Sequence, residues 1–457
     1  MTAESTTQGT SAPSGTGHLA RTLGMWAIVG LGLGYMTPTV VFDTFGIVSN
    51  ETDGVVPTAY MLALIVMVFT AISYGRMTRV FPSAGSAYTY TSETMSPNVG
   101  FLIGWAALLD YLLLPLVNAL IIRSYMYSFF PEAPQWIWVV VYVAVITAMC
   151  LISMTKTSRV NMVLVAFEVV LIGVFLILAT RSLMNGMGNG TIFSTEPLWH
   201  EGVQTSLVIT GATIVAFSFI GFDAITMYTE EAKDASTVPR AILLALLIGG
   251  GIFLTAAWFT QSLFPDVSSF TEESLENSAL PQIAFEVGGQ LFKILLTSAA
   301  FAATVASSLA SHSSVSRLLY VMGRNGHGPI GGFFSYVSPR FQTPAYAVIF
   351  VGAVSLFAIA FNLDFVASLI NFGALIAFTF VNLTVIVYFA FRRREIHAPR
   401  DILRNIVLPV IGVMLTVLLW VYLSAESTRY GMIWFAIGIV VLLWLTRFLR
   451  KPLTINM

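Results

Sequence analysis

The chain has 457 residues, of which 56% are hydrophobic and 10% are charged, and its net charge is −1. A soluble protein of this size does not need so much apolar surface. Repeated apolar runs of about 20 residues instead indicate an integral helical membrane protein. The single cysteine, Cys150, excludes an internal disulfide framework.

The chain begins with a polar segment. Residues 1–20 are mostly small and rich in Ser, Thr and Gly, which predicts a disordered tail. A cleavable signal peptide is not expected, because the segment lacks an apolar core followed by a small-residue cleavage site. Twelve apolar spans are predicted after it, with edges good to a few residues. Spans 1 to 12 are expected at about 23–47, 57–79, 99–129, 135–153, 160–181, 205–229, 240–264, 282–310, 344–362, 365–391, 405–424 and 430–448.

The lysines and arginines predict the orientation of the spans. Most of the 22 basic residues fall on one side, and the opposite loops receive only Arg181 and Arg429. Because basic loops stay in the cytoplasm, both termini are expected there. Two further basic residues, Arg123 and Lys293, fall inside spans 3 and 8.

Spans 1 and 6 each contain a weak point for a helix. Span 1 includes GLGLGYMTPT from Gly30 to Thr39, and span 6 has Gly221 beside Asp223. Interrupted helices at corresponding places in two halves of a chain indicate the binding site of a secondary transporter. The backbone groups that such breaks release are tolerated where they line a cavity or bind a ligand. The alternative is that Gly and Pro are simply common in membrane helices.

Four acidic residues lie within the spans, where a charge is costly and usually faces a cavity or a partner. Asp43 is near the outer end of span 1, where it could reach interfacial water. Asp110 is close to the bilayer midplane in span 3, and a functional role is favoured over a pair with Arg123 or Lys293.

The other two acids are Glu168 in span 5 and Asp223 in span 6. A buried Glu168 could carry a proton near neutral pH. Its alternative is a neutral carboxyl that is hydrogen-bonded to a backbone carbonyl.

Asp110 and Asp223 are expected at similar depth with no basic residue near either in sequence. A cation supplied from outside is the simplest partner, and two carboxylates suit a solute with two positive ends. Aromatic faces attract alkylammonium groups, although phenylalanines at helical spacing are more often packing residues. The candidate aromatics are Tyr35, Tyr111, Phe217, Phe219, Phe222 and Phe372.

Several stretches resemble a known family. FPSAGSAYTYTSETMSPNVGFLIGW, from Phe81 to Trp105, resembles the signature of the amino acid–polyamine–organocation superfamily. SRLLYVMGRNG, from Ser316 to Gly326, resembles its cytoplasmic segment after span 8. Closer still, TPTVVFDTFGIVS, GWAALLDYLLLPLVN and ITGATIVAFSFIGFDAI resemble the bacterial putrescine importers, and the likeness extends from about Leu23 to the last span.

This resemblance implies an all-α membrane fold with a LeuT-like five-plus-five inverted repeat and two extra C-terminal helices. The core would cover residues 21–400, and residues 401–457 would hold the two extra helices and a short cytoplasmic end. Substrate would lie between the breaks of spans 1 and 6. The expected substrate-binding residues are Asp110, Asp223, Tyr35, Tyr111, Gly34, Met36, Thr37, Phe217, Phe219, Gly221, Phe222 and Phe372.

The sequence departs from the superfamily pattern at two places. Amino acid carriers often have a Gly-Ser-Gly-like turn in span 1 whose amides hold a carboxylate, whereas this chain has GLGYMTPT with bulky Tyr35 and Met36. Some proton-coupled relatives carry a lysine in span 5, and VNMVLVAFE places Glu168 there. The first departure favours a diamine over an amino acid. The second makes Glu168 the expected proton-coupling residue, because a carboxylate can also take up and release a proton, although the lysine mechanism of those relatives does not carry over as it stands.

The predicted function is proton-coupled import of a short diamine, with putrescine favoured, by alternating access in the bacterial inner membrane. The alternative is an amino acid permease of the same fold, in which the amides around Gly34 meet the substrate carboxylate. An enzyme is disfavoured because the sequence has no HExxH, no GxSxG and no Cys/His cluster. We expect no cofactor, metal or nucleic acid. Sodium coupling at Ser307 and Ser308, exchange, and oligomeric state stay open.

Overall fold

The fold is all-helical over the residues that the computed structural model describes, which are 23–82, 86–152, 158–229, 232–325, 329–340 and 343–446. Eleven helices in this part are long and apolar enough to cross a membrane. The shorter apolar helix Ala345–Ile359 corresponds to predicted span 9. The prediction of a helical membrane protein is therefore confirmed. The predicted tail at residues 1–20 and the last residues of the chain lie outside the described part.

The unbroken spans have the following bounds. They are Val56–Val80 (span 2), Pro97–Phe129 (span 3), Gln135–Ile152 (span 4), Ser158–Met184 (span 5), Val238–Leu263 (span 7), Leu280–Asn325 (span 8), Leu363–Val385 with a π-helical end at Ile386–Arg392 (span 10), and Ala425–Leu445 (span 12). Span 11 consists of Pro399–Ile402, a π-helical turn at Leu403–Val407 and Leu408–Val421. Short helices at Ser86–Thr94, Glu272–Glu276 and Pro329–Phe334 connect the spans.

Span 8 is longer than the sequence predicted. Its helix begins at Leu280 and continues to Asn325, with a non-helical backbone at Gly289, whereas hydropathy placed its end near residue 310. The continuation is polar, but Ser311 and Ser316 hydrogen-bond to carbonyls of their own helix, at Ser308 and His312. Side chains that satisfy themselves in this way leave the helix intact while they lower the apparent hydropathy.

Burial separates an inner group of spans from an outer one. In spans 3 and 6, 89% of the most apolar window is buried inside the protein, against 28% in spans 4 and 11 and 17% in span 12. Span 3 packs mainly against spans 8 and 10. Polar side chains on spans 3 and 6 are therefore held away from lipid and must be satisfied within the protein.

The two predicted breaks are present. In span 1 the helix Met25–Met36 ends before Thr37, which has φ +50°, and helical turns resume at Val40–Asp43 and Phe45–Thr52. In span 6 the helix Thr205–Val215 passes into a 3₁₀ turn at Ala216–Phe219 and restarts as a 3₁₀ turn at Ala224–Tyr228. Gly221, with φ +126°, lies in the gap between the two turns.

Candidate functional site

The breaks of spans 1 and 6 touch each other. A Cβ added at Gly221 would lie 3.0 Å from the Tyr35 Cβ and 3.1 Å from the Met36 backbone nitrogen. Both distances are shorter than ordinary van der Waals contact, and φ +126° disfavours any residue with a side chain. Glycine at this position therefore lets the two interrupted backbones approach closely. Gly34 and Thr37 are buried beside the same contact in span 1.

Asp223 lies beside the span 6 break and is tied to it. Its Oδ1 accepts a hydrogen bond from the Gly221 amide at 3.2 Å, and its Oδ2 accepts one from the Tyr111 hydroxyl of span 3, also at 3.2 Å. The residue is only 4% exposed. These bonds orient the carboxyl group toward span 3 while using only part of its capacity to accept hydrogen bonds.

Asp110 lies on span 3, immediately before Tyr111, and is 2% exposed. Within the part of the chain described, its Oδ1 has no hydrogen-bond donor. The charge of Asp223 acts on Asp110, so the two carboxyl groups are electrostatic neighbours. A buried acceptor without a donor is rare in a folded protein and requires an explanation, such as a bound proton, water or ligand.

The structural alternative for Asp110, a pair with a basic residue in the spans, is wrong. Arg123 donates to the carbonyls of Ala358 and Phe361 and to Asn277 Oδ1, at 2.7, 3.1 and 2.9 Å. Lys293 donates to the Ser128 carbonyl at 2.7 Å. Across the described residues, no ion pair includes either Asp110 or Asp223. The two carboxyl groups therefore have no basic partner among the residues that the structure describes.

Three tyrosines lie near the two carboxyl groups. Tyr35, Tyr74 and Tyr111 are each close enough for the charges of both Asp110 and Asp223 to act on the tyrosine hydroxyl. The Tyr35 hydroxyl is buried and, within the described residues, has no hydrogen-bond partner. Sequence reasoning missed Tyr74 because the residues around it in span 2 contain no acid or break that would single it out. The site thus combines two carboxyls with aromatic rings and phenol hydroxyls, which suits an organic cation.

Comparison with known proteins gives the family. The family model described as amino acid permease matches residues 23–442. The chain belongs to this family. The low-affinity putrescine importer PlaP of Escherichia coli K12 is 46% identical over 436 residues, which cover 95% of this chain and 96% of that protein. The branched-chain amino acid permease BcaP of Bacillus subtilis is 24% identical, with 94% of each chain covered. The methylthioribose transporter of Bacillus subtilis is 26% identical, again with 94% of each covered.

Membership in this family carries the LeuT-like fold class and makes the chain a multi-pass membrane permease. The relatives are transporters, so the enzyme alternative is excluded.

The three phenylalanines predicted to bind substrate from span 6 of the permease are all buried near its break. Phe222 packs edge-to-face on Tyr74, one of the tyrosines near the carboxyls, and also contacts Phe378. Phe219 packs between Tyr60 and Phe253, on spans 2 and 7. Phe217 is buried in the turn before the break. The rings of Phe219 and Phe222 are thus in packing contacts, although Phe222 also helps to position Tyr74.

Two residues that were predicted to bind substrate, Phe372 and Met36, have side chains that contact other helices. The Phe372 ring packs on Trp420 of span 11, and a Cβ added at Gly431 of span 12 would meet that ring. No contact of the described residues joins Phe372 to the carboxyls. The end of the Met36 side chain lies against Gly249 of span 7. The position of both side chains depends on how the helices are rotated, which the local sequence did not indicate.

Glu168 of the permease contacts the span 1 break. The Thr39 hydroxyl, one residue after Pro38, donates to Glu168 Oε1 at 2.9 Å. The alternative predicted a hydrogen bond from Glu168 to a backbone carbonyl, whereas its partner in the structure is the side-chain hydroxyl of Thr39. Its Oε2 has no hydrogen-bond donor in the described part of the chain. Glu168 is therefore in direct contact with span 1 just after its break.

The interpretation of Asp43 as a residue that reaches interfacial water is wrong. Asp43 is 1% exposed, and its Oδ1 accepts hydrogen bonds from the hydroxyls of Tyr125 and Ser278, at 2.9 and 2.6 Å. Packing inside the protein, and not its place along span 1, therefore keeps Asp43 from water.

The serines considered for a sodium site bond to neighbouring helices. Asn118 of span 3 donates to Ser307 Oγ at 3.3 Å, and Ser308 Oγ shares a hydrogen bond of 2.6 Å with the Tyr142 hydroxyl of span 4. These bonds join span 8 to spans 3 and 4, so each serine has a partner within the protein.

Proposed function

We propose that this permease imports a short diamine, with putrescine as the favoured substrate. The observation that carries the proposal is the pair Asp110 and Asp223, two buried carboxyl groups that have no basic partner in the described protein. Leaving two such charges uncompensated costs several kcal/mol each. A diamine has one ammonium at each end and would compensate both.

The surrounding groups give each end of the diamine a different environment. Asp223 already accepts hydrogen bonds from Gly221 and Tyr111, and these bonds fix the orientation of its carboxyl group for binding one ammonium. Asp110 Oδ1 has no donor in the described residues and can accept from the other ammonium. The rings of Tyr35, Tyr74 and Tyr111 suit the cation and pack against the methylene chain. The 46% identical importer of Escherichia coli carries putrescine in its name, which supports the same substrate here.

We further propose that import is coupled to protons through Glu168. This carboxyl is buried, and Thr39 links it to the half of span 1 that follows the break. In transporters of this fold class, the broken helices and the bundles that they join move relative to each other during alternating access. Uptake of a proton at Glu168 would therefore favour one position of span 1 over another. The proposed location is the bacterial inner membrane with both termini in the cytoplasm.

Uptake of labelled putrescine into proteoliposomes tests the substrate. An inward proton gradient is imposed, and lysine, arginine and neutral amino acids are added as competitors. We expect saturable accumulation of putrescine that amino acids do not displace. Strong uptake of an amino acid without putrescine uptake would leave the fold unchanged and support the amino acid permease alternative.

A further inference from the structure

A second pair of buried carboxyl groups lies in the outer part of the permease. Asp43 of span 1 is 1% exposed and Glu168 of span 5 is fully buried. Each has one oxygen that accepts from hydroxyls and one, Asp43 Oδ2 and Glu168 Oε2, that has no donor within the described residues. Nothing in the proposed diamine site uses Asp43, although a buried acid in a membrane span is costly and usually functional.

The two carboxyl groups belong to one cluster. Thr39, which donates to Glu168, and Asp43 lie four residues apart, one helical turn, in span 1. The Tyr125 hydroxyl of span 3 donates to Asp43. Among the described residues, Tyr60 of span 2 also lies close enough for the Asp43 charge to act on its hydroxyl. The remaining contacts are the hydroxyls of Thr39 and Ser278, and no ion pair in the described part of the chain includes either acid. Tyrosines and hydroxyls can orient a carboxyl group, but they cannot neutralise two of them.

We propose that Asp43 and Glu168 together form the site that binds the coupling proton. Two ionised carboxylates in this dry cluster would each cost several kcal/mol, so the arrangement is stabilised when a proton is bound. The proton comes from the outer solution, binds to one carboxylate oxygen, and leaves to the inner solution without any other change in bonding. A proton needs only one carboxylate oxygen, and Asp43 Oδ2 and Glu168 Oε2 both lack a donor within the described residues. This inference rests on the proposed proton coupling and adds Asp43 to it.

Asp43 also connects the proton site to the segment just before span 8, at residues 278–279. Its backbone carbonyl accepts from the Ala279 amide at 3.3 Å, and its side chain accepts from Ser278. Both partners lie in the segment that leads into span 8, after the outer loop. The hydroxyl bonds to Asp43 are stronger when it is ionised, but a charge buried in this dry contact costs several kcal/mol. Protonation removes that charge and so favours the closed contact between span 1 and this segment, whereas ionisation favours hydration and opening. If the proton and the substrate both bind the closed state more tightly, each one favours binding of the other, and transport of the two is coupled.

Asp43→Asn separates a role in proton binding from a role in structure. Asparagine keeps the size of the side chain and the Oδ1 acceptor for Tyr125 and Ser278, but it cannot take up a proton. We expect putrescine counterflow, in which labelled and unlabelled substrate exchange, to persist within about threefold. Accumulation driven by a pH gradient should fall to the level reached without the gradient. A matched control is Asp364→Asn, because Asp364 is a partly buried acid in the first turn of span 10; it should change neither assay.

The number of protons taken up with each putrescine gives a second measurement. Calorimetric titration in buffers of different ionisation enthalpy reports it directly, and it should fall by about one in Asp43→Asn if that carboxyl is protonated on binding. A purely structural role for Asp43 would change affinity and leave the proton number unchanged.

The outcomes separate this inference from the proposed function. Unchanged gradient-driven accumulation and proton number in Asp43→Asn would overturn the role of Asp43 while leaving putrescine import intact. Wild-type uptake that follows a sodium gradient and not a pH gradient would overturn the whole proton site. Absence of putrescine counterflow in the wild type would instead overturn the proposed substrate, and the pH gradient would then be tested with the transported amino acid.

Discussion

Gly221→Ala should disrupt the contact between the two broken helices. Gly221 has φ +126°, and an added Cβ would lie 3.0 Å from both Cβ and Cδ1 of Tyr35 and 3.1 Å from the Met36 nitrogen. The Tyr35 ring could rotate, but the Met36 nitrogen is backbone and can move only if the break itself moves. The substitution therefore combines a strained backbone with a steric overlap.

The magnitude follows from these two contributions. A residue forced into a sparsely populated backbone region costs about 1–3 kcal/mol, and overpacking of a dense interior costs about 1–3 kcal/mol more. We expect a destabilisation of roughly 2–6 kcal/mol if the two helices stay in place. If they move apart, the strain falls, but Asp223 loses the Gly221 amide that orients it. Putrescine binding should then weaken by at least about tenfold, or about 1.4 kcal/mol.

The assay is thermal unfolding of the purified protein in detergent, combined with putrescine binding by calorimetry. Gly251→Ala is the matched control, because it lies in span 7 and its added Cβ would meet nothing within 4 Å. The control should keep the wild-type unfolding temperature and affinity. If Gly221→Ala behaves like Gly251→Ala in both measurements, the close contact between the breaks does not shape the site.

Three further predictions concern single side chains. Asp110→Asn and Asp223→Asn should each weaken putrescine binding by about 2–4 kcal/mol, the scale for losing one partner of a desolvated charge pair, and normal transport by both variants would refute the diamine site. Glu168→Gln should spare putrescine binding but abolish accumulation driven by a pH gradient; coupling that stays intact would place the proton elsewhere. Arg123→Met removes three hydrogen bonds, one to span 9 and two to the loops before span 8 and after span 9. Thermal unfolding should reveal a loss of at least about 1.5–3 kcal/mol; an unchanged unfolding temperature would show that these bonds contribute little.

The sequence by itself determined the class of protein and the positions of the breaks. Span lengths follow from the thickness of the bilayer, because a helix must satisfy its backbone where no water is present. The breaks follow from local chemistry, since the span 1 helix ends just before Pro38 and Gly221 lies in the gap of span 6. Gly30, Gly32 and Gly34 were expected to weaken span 1 but remain helical. The cost of a charge in the membrane singled out Asp110, Asp223 and Glu168 without knowledge of their neighbours.

Only the tertiary structure decided which groups meet. Tyr111 and Asp223, Thr39 and Glu168, and Asp43 and Ser278 are each far apart in the chain and within 3.2 Å in space. The rotation of each helix about its axis sets these contacts, and spans that are apolar on every side contain little sequence information about that rotation. For the same reason Phe372 was predicted beside the carboxyls but packs on Trp420. The residues that a membrane protein must bury can be predicted locally, whereas the partners that satisfy them come from packing between distant helices.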